Sequence, residues 1–226
     1  LKITIILLAM FLITQFIGLY VVNYYSPQKV INGEIVNVTA PALPYGMETP
    51  PISAEKDFYQ VLISIIIAFT LAITLILILS KFKADFFIRA WFFIVIIIAL
   101  GISLNSIIPL YYSAWIALII AIPLAFFKVY KRNLIVHNST ELLIYPGIAA
   151  VFVPILNIWT VSILLVLISI YDMWAVWKSG IMQKMAKYQI NQLQIFSGFF
   201  VPYMSNKLRT KIKNMKKLEL KKRKAV

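Results

Sequence analysis

The chain has 226 residues, 62% of them hydrophobic and only 13% charged, with a formal net charge of +14; soluble domains run nearer half apolar and a quarter charged. That balance excludes an ordinary water-soluble domain, and seven Gly with ten Pro exclude the disordered and fibrous classes. Zero Cys and a single His remove disulfides, thiolate metal sites, cysteine nucleophiles and multi-histidine centres, so no metal or cofactor is expected.

A bilayer core of about 30 Å requires roughly 20 apolar residues in a helix, and six runs meet or approach that length. The first, 3–22, is uncharged, lies between Lys2 and the interfacial anchor Asn23-Tyr24-Tyr25, and is long for a secretory signal with no small-x-small cleavage site close behind. A retained helix is expected. The loop over 23–57 holds Pro27, Pro41, Pro44, Pro50 and Pro51 with four acids, which argues against a folded domain of its own and leaves it to shape an outer entrance. The second run, 58–80, is closed by Lys81-Phe82-Lys83, and the third, 86–108, carries Arg89 where its side chain snorkels to the head groups.

The fourth run, 110–127, stops at Lys128, Lys131 and Arg132. The fifth, 142–156, is short and contains Pro146 and Pro154, so by length alone it fits a re-entrant segment. The sixth, 158–177, is a full span, and everything after it is basic. With six spans, every Lys and Arg except Lys29 and Lys56 falls on one side; without the fifth, the basic tail would cross to the other side, against the positive-inside rule. The expectation is an all-α membrane protein with six transmembrane helices over residues 1–178, both termini cytoplasmic, in the cell membrane.

Residues 179–226 form a basic cytoplasmic linker. Ile181, Met182, Met185, Tyr188 and Ile190 recur with Lys184 and Lys187 between them, the pattern of an interfacial amphipathic helix. The apolar stretch 195–204 is too short to span and is expected to lie at the interface or dip into it. Over 207–224 the cations face a single Glu219, and a cluster such as Lys221-Lys222-Arg223-Lys224 draws anionic lipid at about 1 kcal/mol per charge. The charge is local to this tail, so nucleic acid is not an expected partner.

Of the eight acids, Glu34, Glu48, Glu55 and Asp57 belong to the loop, Asp85 and Glu141 read as flanking helix ends, and Glu219 is in the tail. Asp172 stands apart, inside the sixth run and about 9 Å from its inner end. A charged residue in that setting costs about 2.5 to 3.5 kcal/mol, and an Asp is too short to snorkel. Either it is hydrogen-bonded packing glue, or it is functional, as a catalytic carboxylate or as the proton site of a transporter. One turn away on either side lie Ser169, Ala175, Val176 and Ile168, a small-to-medium face that admits an extended peptide or a partner helix. Tyr171 precedes the carboxylate; Trp174 and Trp177 read as interfacial anchors.

Tyr171-Asp172 late in the sixth run, Tyr145-Pro146-Gly147-Ile148-Ala149-Ala150 in the fifth, and Gly198-Phe199-Phe200-Val201-Pro202-Tyr203 after the sixth resemble the presenilin-like, or signal-peptide-peptidase-like, intramembrane aspartyl proteases, most closely their archaeal members. The resemblance implies that Asp172 is one of two catalytic aspartates. It implies nine helices, with the second Asp in a Gly-x-Gly-Asp motif on helix seven and a Pro-Ala-Leu motif near helix nine. Beyond the sixth run the sequence holds neither motif, and no Asp follows Asp172, so the likeness covers the amino-terminal six-helix part.

The partners implied are transmembrane-helix peptide substrates and a carboxy-terminal half, in the same polypeptide or a separate chain; without that half the chain is expected to be inactive. Two other classes stand beside this one. A proton-coupled transporter would use Asp172 as its coupling site and often shows inverted repeats, whereas a non-enzymatic scaffold would use only the tail.

Overall fold

The structure, a computed structural model, describes residues 2–31, 33–48, 55–108, 113–131, 133–193, 195 and 197–201. In chain order these form helix α1 (Lys2–Tyr25), strands β1 (Gln28–Ile31) and β2 (Glu34–Asn37), then helices α2 (Glu55–Lys81), α3 (Asp85–Ile107), α4 (Ser113–Tyr130), α5 (Leu134–Phe152), α6 (Ile158–Trp177) and α7 (Ile181–Tyr188). Six helices, α1 to α6, are long and apolar enough to cross a membrane. A run of this composition has one stable form in lipid, because only a helix satisfies every backbone group from within the segment.

The helix ends follow local chemistry. Asn133 caps α5, its side chain accepting from the Ile135 and Val136 N–H groups, and Asn157 with Thr160 forms a reciprocal capping box at the start of α6. Lys83, with φ +52°, turns the chain between α2 and α3, and Gly180, with φ +61°, turns it between α6 and α7.

Helix α3 is the centre of the bundle, packed against α4, α5 and α1. On α4, the residues facing inward are Ala117, Ala121, Ala125 and Val129, all buried. Their i, i+4 spacing makes a strip of small side chains, so the backbones of α3 and α4 approach closely where lipid gives no hydrophobic drive to associate. The α5 face does the same with Gly147, which sits directly over the Ala99 carbonyl. One turn earlier, the Ser103 hydroxyl donates to the Leu143 carbonyl at 2.5 Å.

At the hairpin end of the bundle, the Tyr25 hydroxyl donates to the Ile102 carbonyl at 3.0 Å and accepts from the Asn105 amide at 2.8 Å. The Asn105 carbonyl oxygen in turn accepts from Ser113 at 2.7 Å. This chain of polar groups pins together the ends of α1, α3 and α4. Helices α2 and α6 lie outside this core, largely exposed as lipid-facing helices are.

Two features differ from the sequence reading. The fifth expected run, 142–156, is the later part of a helix that begins at Leu134 and ends in a short 3₁₀ turn, Val153–Ile155. Its first two turns carry His137, Asn138, Thr140 and Glu141, and Glu141 lies inside the helix and 2% exposed rather than at its flank. The loop between α1 and α2 also holds an antiparallel hairpin, β1 paired with β2 from Gln28–Asn37 to Ile31–Glu34. Gly33, with φ +85°, takes a turn conformation, and in the sequence it follows Asn32 as Asn-Gly, a dipeptide that favours tight hairpins. The start of the fourth expected run at 110, Pro50, Pro51, Pro202, Tyr203 and the basic stretch 207–224 lie outside the described residues.

Candidate active site

Along α6 the covered residues are Thr160, Leu164, Ile168, Tyr171, Asp172, Ala175 and Val176, a helical stripe with the 3.6-residue period. Asp172 belongs to that stripe, half-buried, and the residue one turn on, Ala175, is fully buried. The opposite face is open: Met173 is 50% exposed and Trp177 80%. The carboxylate therefore points toward the protein rather than the lipid, and Trp177 sits where an interfacial anchor belongs. Of the expected neighbours, Val176 shares the stripe and Ser169 is exposed beside it.

Helix α2 holds this part of α6 in place. The Tyr171 ring meets Phe69 of α2 edge to face at 5.9 Å, and on its own helix lies 6.4 Å from Trp174. Among the described residues Asp172 has no hydrogen-bond or ion-pair partner, so it is not glue between the helices described. The carboxyl thus sits on a half-covered stripe beside Ala175 and the Tyr171–Phe69 ring contact.

The sequence reading passed over a second polar centre. The Lys128 ammonium of α4 meets the Glu141 carboxylate of α5 at 2.6 Å, both nearly inaccessible. His137, one turn before Glu141, lies with Nδ1 3.4 Å from the Lys128 Nζ and Nε2 2.8 Å from the Gly198 carbonyl. A carbonyl only accepts, so Nε2 carries the ring proton and Lys128 donates to Nδ1. The signal was present in the sequence as His137 and Glu141 four residues apart on one helix face. Glu141 is thus engaged with Lys128 and with the chain beyond α7, and it is not brought into a pair with Asp172. Among the described residues, no group of three or more His, Asp or Glu side chains is placed to hold a metal ion.

Helix α7 brings the chain back under the bundle. Its Tyr188 hydroxyl donates to the Asp85 carboxylate at the start of α3, and Arg89 donates to the Gln192 carbonyl at 3.2 Å. Burial first, and the Asp85 carboxylate next, push the Tyr188 phenol up to about 12, which keeps it a donor at physiological pH. Leu193 and Ile195 then enter the core among Ile88, Ala121, Ala125, Val129 and Ile144.

A family model described as signal-peptide peptidase, presenilin aspartyl protease matches residues 33–217, well over half of the chain and inclusive of Asp172. No curated protein and no solved structure matches it.

Proposed function

Because the chain belongs to the signal-peptide peptidase and presenilin aspartyl protease family, we propose that it is the six-helix part of an intramembrane protease and that Asp172 is one of its two catalytic carboxylates. The observation that carries this is the placement of Asp172, an acid on the half-buried, protein-facing stripe of a membrane helix.

Hydrolysis by aspartates requires two carboxyls in opposite protonation states. The ionised one takes a proton from water as the water oxygen attacks the scissile carbonyl carbon, and the neutral one protonates the carbonyl oxygen. When the carbon–nitrogen bond breaks, the nitrogen leaves with a proton returned by the dyad. Asp172 supplies one member; the other comes from a carboxy-terminal half carrying a Gly-x-Gly-Asp helix, in the same polypeptide or as an associated chain.

The substrate is a transmembrane helix that unwinds near the inner leaflet, where its freed backbone groups need partners and water has access. The basic end of the bundle faces the cytoplasm in this reading, following the positive-inside rule, and the 207–224 stretch holds anionic lipid there.

The test is reconstitution. In proteoliposomes containing a single-span peptide substrate, the 226-residue chain alone is expected to yield no product. The chain with a carboxy-terminal half bearing the second Asp is expected to cleave within the span. Cleavage by the chain alone, or none by the complete pair, would overturn the proposal.

A further inference from the structure

The four backbone groups of two alternate residues, Gly198 and Phe200, are all met by side chains of one helix. Glu141 Oε1 accepts from the Gly198 N–H at 3.2 Å while His137 Nε2 donates to the Gly198 carbonyl at 2.8 Å. Asn138 uses both halves of its amide on Phe200, accepting from its N–H and donating to its carbonyl, each at 2.9 Å. Pairing the N–H and C=O of residues i and i+2 along one edge is what a neighbouring strand does in a sheet. Here three side chains from consecutive turns of α5 take the place of that strand.

From these contacts we propose that His137, Asn138 and Glu141, with Lys128 as counter-ion, form a binding site for a non-helical backbone segment, occupied in this chain by residues 198–200, and that this site positions the polypeptide after α7.

Depth gives the site its purpose. Glu141 is seven residues into α5 from Leu134, about 10 Å along the helix. Beside a carboxylate only 3% exposed, the Gly198 backbone groups are shielded from water and costly to leave unpaired. The ion pair supports the same conclusion. Apolar residues of similar volume would hold α4 against α5 at least as well as a buried Lys–Glu pair, but they would not accept a hydrogen bond from Gly198.

Gly198 itself has φ +117°, a conformation that L side chains rarely adopt, so the residue type at the recognised position is fixed by the backbone it must present. The segment is anchored by apolar contact, through buried Leu193 and Ile195 before it and, within it, through Phe199, whose ring lies 6.1 Å from that of Tyr145. The inference does not depend on proteolysis. Within the proteolytic reading, the site also sets where the chain leaves the bundle toward the second aspartate.

The sequence has no Cys, so two introduced labels report the docking without background. Spin labels at Ser197→Cys, beside the docked residues, and at Phe152→Cys, the last residue of α5, should stand about 20 Å apart, since Asn138 and Phe152 are separated by 14 residues at 1.5 Å each. With the native site, a narrow distance distribution is expected in lipid nanodiscs. The double variant Lys128→Met/Glu141→Leu keeps α4 and α5 packed but removes the acceptor for Gly198. It is expected to retain helical content and thermal stability while the narrow population falls by at least about half.

A double variant that folds and keeps the narrow distribution would overturn the proposal, leaving the ion pair as a tie between two helices. Should that variant fail to fold, Asn138→Leu decides, because it removes the two hydrogen bonds to Phe200 and leaves the ion pair intact: broadening in a folded protein supports the site, and an unchanged distribution overturns it.

Discussion

Replacing Asp172 with Asn is expected to abolish cleavage by the reconstituted complex, with turnover of a single-span peptide falling by about 10³- to 10⁴-fold or more, in line with losses when one member of a concerted catalytic set is removed. Asn has nearly the same shape but can neither accept a proton from water nor donate one to the scissile carbonyl. The side chain has no hydrogen-bond or ion-pair partner among the described residues and is only half-buried, so the change should leave thermal stability within about 0.5 kcal/mol. Mass analysis of the peptide products beside a thermal unfolding curve checks both parts. Cleavage by the Asn variant at more than a tenth of the native rate would remove Asp172 from the chemistry. Lost activity in a protein that has also unfolded would instead make the carboxylate structural.

The second large effect concerns Gly147. A methyl group there would overlap the Ala99 carbonyl, a backbone atom in the middle of α3, so neither partner can swing aside and the two helices must separate. Gly147→Ala is expected to destabilise the bundle by about 3 kcal/mol, the upper part of the range for overpacking. The contrast is Gly101→Ala. There the nearest atoms to the added carbon are the ring and hydroxyl of Tyr45, the far end of a side chain 39% exposed and able to rotate out, at the expense of its hydrogen bond to the Ala114 carbonyl. That substitution should cost about 1 kcal/mol. Unfolding titrations in mixed micelles measure both; equal costs would refute close backbone contact as the basis for the Gly147 effect.

The membrane helices were legible in the sequence because a run of twenty apolar residues has no other stable form in lipid. The start of α5 was not, since Glu141 read as the flank of an apolar run. Asn133 and the partners of Glu141 move the true boundary eight residues earlier, and those partners come from α4 and from the chain beyond α6. The β1–β2 hairpin was missed for the opposite reason. Five prolines directed attention to the loop as a whole and away from the short alternation around Asn32-Gly33.

Asp172 was visible because a lone acid in a long apolar run is conspicuous by itself. The α5 site could not be found that way. Its meaning lies in hydrogen bonds between residues about 60 positions apart, and two of the groups it recognises belong to a glycine, whose letter carries no polarity.

The Lys128–Glu141 pair also bears on how the protein is made. Only residues 131–133 separate α4 from α5, so the two emerge during synthesis as one hairpin. Each would bring an unpaired charge toward the bilayer if it inserted alone, at a cost that grows with depth. Inserted together, they enter already neutralised, before Gly198 has left the ribosome. The contact that later receives the chain beyond α7 thus first serves as a passport for the hairpin, which makes co-insertion of α4 and α5 the expected route of biogenesis.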